Sequence, residues 1–275
     1  QASEPAAELT ELASHWSLSD ELTVMRDLRV WRNKAMARLM TRDILGLNTV
    51  RDTAKAVSDL ADIALSKALD WSFEFWRAKD GTPAICPHTN QAQKMIIIAM
   101  GKHGAQELNL SSDVDLIFAY PSQGETDKGR SHEEFFTRVG RKLIHLLDAR
   151  TADGFVFRVD MRRRPWGQSG ALVSNFQALQ NYYLQQGRFW ERFAMVKARP
   201  VTGSAQAQQA LNDILQPFVF RRYIDYQAVG ALRDLKSKIQ TEVRRQNLSR
   251  NIKLGAGGIR EVEFIAQVFQ LIRGG

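Results

Sequence analysis

Hydrophobic residues recur at helical spacing along most of the chain, which predicts a mainly helical protein. Three amphipathic segments cover residues from about 5 to 80. Trp31 and Leu39 lie among the apolar positions of the second segment, and Leu60 and Leu69 among those of the third. These side chains are expected to build a helical core rather than a binding site.

A turn-rich stretch at residues 78–90 marks the first predicted domain boundary. Beyond it, short apolar or alternating segments at 94–100, 114–120 and 154–161 predict β-strands. An amphipathic helix is predicted at 131–149, between the last two strands. Because parallel strands need a crossover connection, this helix is suited to link two strands of a small sheet.

After Pro165 the pattern predicts helices to the end of the sequence. Their predicted bounds are 176–186, 188–197, 205–215, 226–246 and 259–273. We therefore expect an α+β fold that is mostly helical, with a lead-in (1–80), a central part with the strands (81–175) and a helical lobe (176–275). The sequence begins with Gln1 rather than Met, so it is expected to be a fragment of a longer chain.

Composition narrows the possible partners only a little. The formal net charge of +8 indicates an anionic partner, which could be nucleic acid, a nucleotide, phosphate or an acidic protein surface. The longest apolar run, 95–100, is far shorter than the roughly 20 residues of a membrane-spanning helix, so no span is expected. The single cysteine, Cys86, cannot form an internal disulfide, which fits a cytoplasmic protein.

Three aspartates are the candidate catalytic residues. Asp113 and Asp115 lie two apart at a predicted strand, so their carboxylates share one face, with about 6.5 Å between the α-carbons. Asp160, at the end of the third predicted strand, is placed to supply a third carboxylate. Such a set can hold two divalent cations, and hard oxygen ligands suit Mg²⁺ or Mn²⁺. A capped turn gives the same D-x-D pattern, but the glycine- and serine-rich lead-in and Asp160 favour a metal site.

Residues around the aspartates are candidates for binding phosphate or nucleotide. Gly101 and Ser112 offer backbone N–H groups with little side-chain obstruction, and Lys102 can add charge. Arg162 and Arg164, two apart, can bind phosphate from one face if the strand continues that far, although a basic turn explains them equally well. A glycine-rich stretch at 251–264 also precedes a predicted helix, and is either an anion site or a plain interhelical turn.

These motifs resemble the glutamine synthetase adenylyltransferases, whose catalytic domains are nucleotidyltransferases of the DNA polymerase beta type. The segments similar to the family's two signatures are 99–102, 107–109, 111–118, 159–167 and Ser169-Gly170. Enzymes of this family carry an adenylyl-removing and an adenylyl-attaching domain, and segments 190–199, 218–225 and 252–264 look like the removing one. The chain departs from the usual pattern at 103–105, where Leu-Gly-Gly is common, and at Arg163, where Leu is common.

The resemblance implies a polymerase beta-type core with a small mixed sheet at 81–175 and a phosphorolysis that releases ADP from adenylylated glutamine synthetase. It also implies that Asp113, Asp115 and Asp160 bind two Mg²⁺ or Mn²⁺ ions, with Gly101 and Ser112 near the phosphates. Contact with a PII signal protein is left open. The alternatives are adenylylation with ATP, a non-catalytic nucleotide-binding module, and nucleic-acid binding, for which net charge is the only argument.

Overall fold

A computed structural model describes residues 3–16, 20–87, 90–220, 226–245 and 251–273. The fold is α+β and mostly helical, as predicted, and it begins with three helices. These are α1 (Ser3–Ser14), α2 (Glu21–Ile44) and α3 (Val50–Asp80). The side chain of Asp20 accepts a hydrogen bond from the backbone of Thr23, and Thr49 forms a capping box with Asp52. Both caps satisfy backbone N–H groups that the first turn of a helix leaves unpaired, which fixes where α2 and α3 begin.

A small mixed sheet follows the helices. Its strands are β1 (Ile96–Met100), β2 (Val114–Tyr120), β3 (Val159–Asp160), β4 (Val173–Asn175) and β5 (Arg199–Pro200). Strand β1 is antiparallel to both β2 and β5, whereas β3 and β4 are parallel to β2. Since β1 occupies one edge of β2, the two short strands β3 and β4 share the other edge. The N-terminal end of β2 therefore has a neighbouring strand on each side, β1 on one side and β3 on the other.

The predicted crossover between β2 and β3 is confirmed as helix α5 (His132–Asp148). Ser131 caps its start, and its apolar side chains are buried against α3 and the sheet. A Cβ at Gly140 would lie 3.0 Å from the ring of Phe118 and 3.4 Å from Val173, which shows how closely the helix approaches the sheet. Carboxylate oxygen Oδ1 of Asp148 accepts a hydrogen bond from the backbone N–H of Val159 at 3.2 Å, so the end of α5 helps to place β3.

A buried arginine joins the helical lead-in to the end of α5. Arg29 is fully buried, and its guanidinium donates to the carbonyl oxygens of Leu146 at 3.1 Å and Gly154 at 2.9 Å, and to that of Ala149. These acceptors include helix-terminal carbonyls that no intrahelical N–H can reach. Burial lowers the pKa of Arg29, and the carbonyl oxygens compensate the buried charge. Arg29 thus links helix α2 to the end of α5. Apolar side chains of the helical lead-in and of the sheet also belong to one hydrophobic core.

The third predicted strand is much shorter than expected. Residues 151–154 form a turn, and the backbone N–H groups of Val156 and Phe157 both donate to the carbonyl oxygen of Leu147, so only Val159–Asp160 pair with β2. Two strands were missed, β4 and β5, because segments of three and two residues are too short to show alternation. The helix-only prediction after Pro165 is therefore wrong at these two places.

The remaining helices are α4 (Gly101–Gly104), α6 (Phe176–Gln185), α7 (Phe189–Met195), α8 (Ala205–Val219), α9 (Tyr226–Arg245) and α10 (Ile259–Arg273). The chain forms two compact units, one of residues 1–179 and 197–210, the other of 180–196 and 211–275. Within the second unit, Tyr183 stacks on Phe218 with ring centroids 4.7 Å apart. The predicted boundaries at 80 and 175 stay predictions.

Candidate active site

Strand pairing brings two of the three predicted aspartates side by side. Asp115 is the second residue of β2, and its partners across the sheet are Met100 in β1 and Asp160 in β3. Neighbouring strands lie about 4.8 Å apart and paired residues project to the same face. Asp113 immediately precedes β2, whose first residue, Val114, donates its N–H to the carbonyl oxygen of Arg158 at 2.9 Å. All three aspartates therefore lie at one end of the sheet.

The three carboxylates have different electrostatic environments. Burial raises the pKa of Asp115, and the nearby charges of Asp160 and Asp113 raise it further, while Arg163 opposes the shift. Hydrogen bonds from Arg162 lower the pKa of Asp160. Asp115 is thus the member of the set whose charge is hardest to accommodate, because its partial burial and the two like charges nearby both disfavour the ionised form.

Arginines contact each of these carboxylates. The Arg158 Nε atom lies 2.5 Å from an oxygen of Asp113. Arg162 donates from Nε to both oxygens of Asp160 at 3.0 and 2.9 Å, and from Nη2 to one of them at 2.5 Å. A longer ion pair of 3.8 Å joins Arg163 Nε to Asp115. Arg158 and Arg163 were not among the predicted site residues, although Arg158 lies two residues before Asp160, a spacing that puts both on one face of an extended segment.

Arg164, predicted to bind phosphate, braces the loop after β3 in this structure. Its guanidinium donates to the carbonyl oxygens of Met161 at 2.8 Å, Gln168 at 3.0 Å and Gly170 at 3.3 Å. Those bonds hold both ends of the turn that carries Trp166, whose ring is exposed. Phosphate binding by Arg164 and Arg162 stays a prediction.

Gly101 brings the backbone of α4 directly against Asp115. Its φ of +55° lies in the left-handed region, and a Cβ there would lie 2.8 Å from Oδ2 of Asp115. Glycine is therefore required at this position both by conformation and by space. Lys102 is the next residue of α4 and is partly buried; its carbonyl oxygen accepts from the N–H of Glu107 at 2.7 Å.

Ser112 belongs to a compact turn that leads into β2. Its hydroxyl donates to the side-chain oxygen of Asn109 at 2.7 Å, and the same oxygen accepts from the N–H of Ser111 at 3.1 Å. The carbonyl oxygen of Ser111 in turn accepts from Arg158 at 2.6 Å. The turn that precedes the aspartates is thereby connected to the strand segment that precedes Asp160.

A buried polar network behind α4 was also missed. His103 is fully buried, and its Nε2 lies 2.7 Å from Oδ1 of Asp62 in α3. Arg199 of β5 donates to both oxygens of Asp62 at 2.8 and 3.1 Å, and to the carbonyl oxygens of Gly104 and His103. No local pattern could have revealed this network, because its members come from three distant parts of the chain. It fixes the turn that carries Gly101.

The donor chemistry at the aspartates fits a hard divalent cation, since carboxylate oxygens are the ligands that Mg²⁺ and Mn²⁺ prefer. In the described residues, no three acidic, histidine or cysteine side chains are arranged so that they could already hold a metal ion. The arginines described above occupy the carboxylates instead. The predicted metal ligands are thus close together but engaged with other partners.

In the glycine-rich stretch at 251–264, a side chain of the same stretch already binds a backbone N–H group. The carboxylate of Glu261, in the first turn of α10, accepts from the N–H of Gly257 at 2.6 Å and pairs with Lys236 at 2.9 Å. This geometry agrees with an interhelical turn rather than an open anion site. Residues 221–225, part of a segment that resembles the removing domain, lie outside the described residues.

Comparisons with family models and with curated proteins identify the relatives of this chain. Over the ranges that the structure describes, no helix has both the length and the apolar character needed to cross a membrane. The model of the family "GlnD PII-uridylyltransferase" matches residues 233–275. Two curated relatives, from Pseudomonas putida and Pseudomonas aeruginosa, are each named bifunctional glutamine synthetase adenylyltransferase/adenylyl-removing enzyme.

The first relative is 53% identical over 259 residues, which are 93% of this chain and 26% of that protein. The second is 52% identical over 260 residues, which are 94% of this chain and 26% of that protein. The chain therefore spans about a quarter of the length of these relatives. The model of the family "Glutamate-ammonia ligase adenylyltransferase" matches residues 1–214, and the chain belongs to that family.

Proposed function

We propose that this chain catalyses the removal of AMP from adenylylated glutamine synthetase by metal-dependent phosphorolysis. The observation that carries the proposal is the juxtaposition of Asp115 and Asp160 on paired strands, with Asp113 beside them. The names of the two relatives include both adenylyl transfer and adenylyl removal. The resemblance of segments 190–199 and 252–264 to the removing domain supports removal.

The proposed reaction exchanges one bond at the phosphorus of the AMP group. An oxygen of inorganic phosphate forms a bond to this phosphorus, while the bond to the tyrosyl oxygen breaks. The proton released by the attacking hydrogen phosphate passes through solvent to the tyrosyl oxygen, and the products are ADP and unmodified synthetase. Because the attacking phosphate is already an anion, no side chain has to act as a dedicated general base.

The residues at the end of the sheet have separate tasks in this proposal. Asp113, Asp115 and Asp160 would hold two Mg²⁺ or Mn²⁺ ions, which would supply charge neutralisation on the transferring group and assistance to the departing tyrosyl oxygen. Gly101 lets backbone approach this point without a side chain. Arg162, whose side chain is 71% exposed, is accessible to an incoming phosphate.

The test is to incubate the chain with adenylylated glutamine synthetase and Mg²⁺, with and without inorganic phosphate, and to quantify ADP and AMP. Phosphate-dependent ADP is expected, and it should be lost in a variant that combines Asp113→Ala with Asp115→Ala. Asp70→Asn, an exposed change on α3, serves as a charge control and should keep the activity. Full ADP formation by the double variant would contradict the site assignment.

The second candidate is the attaching reaction, because the family description names adenylyltransferase activity. AMP transfer from ATP to unmodified synthetase, without any phosphorolysis, would establish it. For either reaction, we propose that the chain acts in the cytoplasm. Its proposed partners are glutamine synthetase, phosphate and ADP. Addition of a PII signal protein to the same assay tests whether such a regulator acts on this chain.

A further inference from the structure

The three carboxylates of the candidate site are neutralised by three arginines. Arg158 and Arg162 make short contacts of 2.5 Å with Asp113 and Asp160, and Arg163 lies 3.8 Å from Asp115. The formal charges of the two sets cancel. Divalent cations placed among them would add charge of the same sign as the guanidinium groups.

The contacts of Asp160 leave little room for a cation. Its two oxygens accept from Arg162 Nε, from Nη2 and from the backbone N–H of the same residue, at 2.5 to 3.0 Å. Together these bonds use most of the roughly four lone-pair directions of a carboxylate. A cation at about 2.1 Å from such an oxygen would also lie within a few ångströms of the guanidinium charge.

Both arginines are exposed enough to move, and for Arg162 the contrast with its partner is large. The side chain of Arg162 is 71% exposed, whereas that of Asp160 is 15% exposed. Arg158 is 41% exposed and is held in addition by the carbonyl oxygen of Ser111 at 2.6 Å. Arg162 can therefore turn into solvent without unpacking the protein, and Arg158 can do so at the loss of one further hydrogen bond.

We propose that Arg158 and Arg162 are exchangeable counter-ions: they occupy Asp113 and Asp160 while no divalent cation is bound, and binding of the cation displaces them. The inference rests on the proposed function, because it takes the carboxylates as metal ligands. Once displaced, both guanidinium groups remain tethered next to the site, where they favour binding of a phosphate anion.

The experiment measures Mn²⁺ binding directly, by the electron paramagnetic resonance signal of the free ion, without any substrate turnover. The compared proteins are the wild type, Arg158→Gln, Arg162→Gln, the double Gln variant and Arg141→Gln, an exposed change of equal charge on α5. A variant with Asp113→Asn and Asp160→Asn reports the Mn²⁺ that binds elsewhere. Each protein is checked for folding by its thermal transition.

We expect Arg162→Gln to tighten the Mn²⁺ dissociation constant about 3- to 10-fold, since a partly exposed ion pair no longer has to be broken. Arg158→Gln should act in the same direction, and Arg141→Gln should have almost no effect. Inorganic phosphate should tighten Mn²⁺ binding more in the wild type than in the double Gln variant. This comparison distinguishes two roles of the arginines: binding phosphate after the cation has displaced them, or only repelling the cation.

Two results would overturn the inference in distinguishable ways. If Mn²⁺ binding depends on the aspartates but the Gln variants bind no more tightly than the wild type, the counter-ion role is wrong and the proposed function stands. If no Mn²⁺ binding depends on the aspartates, the metal site of the proposed function fails, and the inference fails with it.

Discussion

Gly101→Ala is the substitution whose effect follows most directly from the geometry. The added Cβ would lie 2.8 Å from Oδ2 of Asp115, whereas ordinary van der Waals contacts of a Cβ begin at 3.4 Å. The difference means that the carboxylate or the backbone has to move by about half an ångström. Alanine at a φ of +55° also costs about 1 kcal/mol of backbone strain.

The chain offers a matched control for the strain alone. Gly46 has a φ of +66°, and a Cβ there would meet no heavy atom within 4 Å. Gly46→Ala and Gly101→Ala should therefore both lower the free energy of unfolding by about 1 kcal/mol, a shift of roughly 2 to 4 °C in Tm for a protein of this size. Only Gly101→Ala should displace the carboxylate of Asp115.

The assay is phosphate-dependent ADP formation, measured beside the thermal transition of each variant. Displacing a carboxylate of the proposed metal site by about half an ångström is expected to lower kcat/KM by about 10- to 100-fold, or about 1.4 to 2.7 kcal/mol. Gly46→Ala should stay within about 2-fold of the wild type. Equal activities of the two variants would refute the reasoning, because backbone strain alone would then account for any loss of activity.

Three further substitutions test other parts of the fold and site. Burial raises the pKa of Asp115 above the usual 3.8, so stability falls as pH rises from that value towards the raised pKa. Asp115→Asn should therefore stabilise the metal-free protein at about pH 7 but not at about pH 3, as measured by urea unfolding with chelator; an equal effect at both pH values would count against this. Asp62→Ala removes the partner of buried His103 and of Arg199, and should cost about 2 kcal/mol, whereas an unchanged Tm would show that the network contributes no stability. Gly104→Ala would place a Cβ 1.8 Å from a main-chain oxygen, and is expected to cost more than about 2 kcal/mol; a soluble variant with an unaltered thermal transition would show that this backbone yields easily.

The helices and the central strands of the fold could be predicted because their signals are local. Helix α10 and strand β2 have the bounds that the pattern predicts, since each contains enough residues to show its period. Strands β4 and β5 owe their pairing to neighbours across the sheet, and three or two residues have no readable period. Their existence depends on tertiary contacts rather than on propensity.

The candidate site shows the same difference between features with a local sequence signal and features that depend on tertiary contacts. Asp113 and Asp115 could be predicted from spacing, and Asp160 from its place at the end of a strand; the register that pairs Asp115 with Asp160 had no signal in the sequence. The arginine partners were only partly accessible to prediction. The spacing of two residues between Arg158 and Asp160 is visible in the sequence, but the bond from Arg158 to Asp113 joins residues 45 positions apart.

The same contacts give a physical reason for the arginines beside the aspartates. Asp115 is partly buried and has two like charges nearby, which is unfavourable for folding at neutral pH unless opposite charges also lie close. Arg163 supplies part of that compensation, and Arg158 and Arg162 neutralise the flanking carboxylates. In the proposed metal site, such temporary partners would let the chain fold before a cation binds, because three uncompensated carboxylates would repel one another. Exposed side chains suit this role better than buried ones, since they can leave when the cation arrives without a rearrangement of the core.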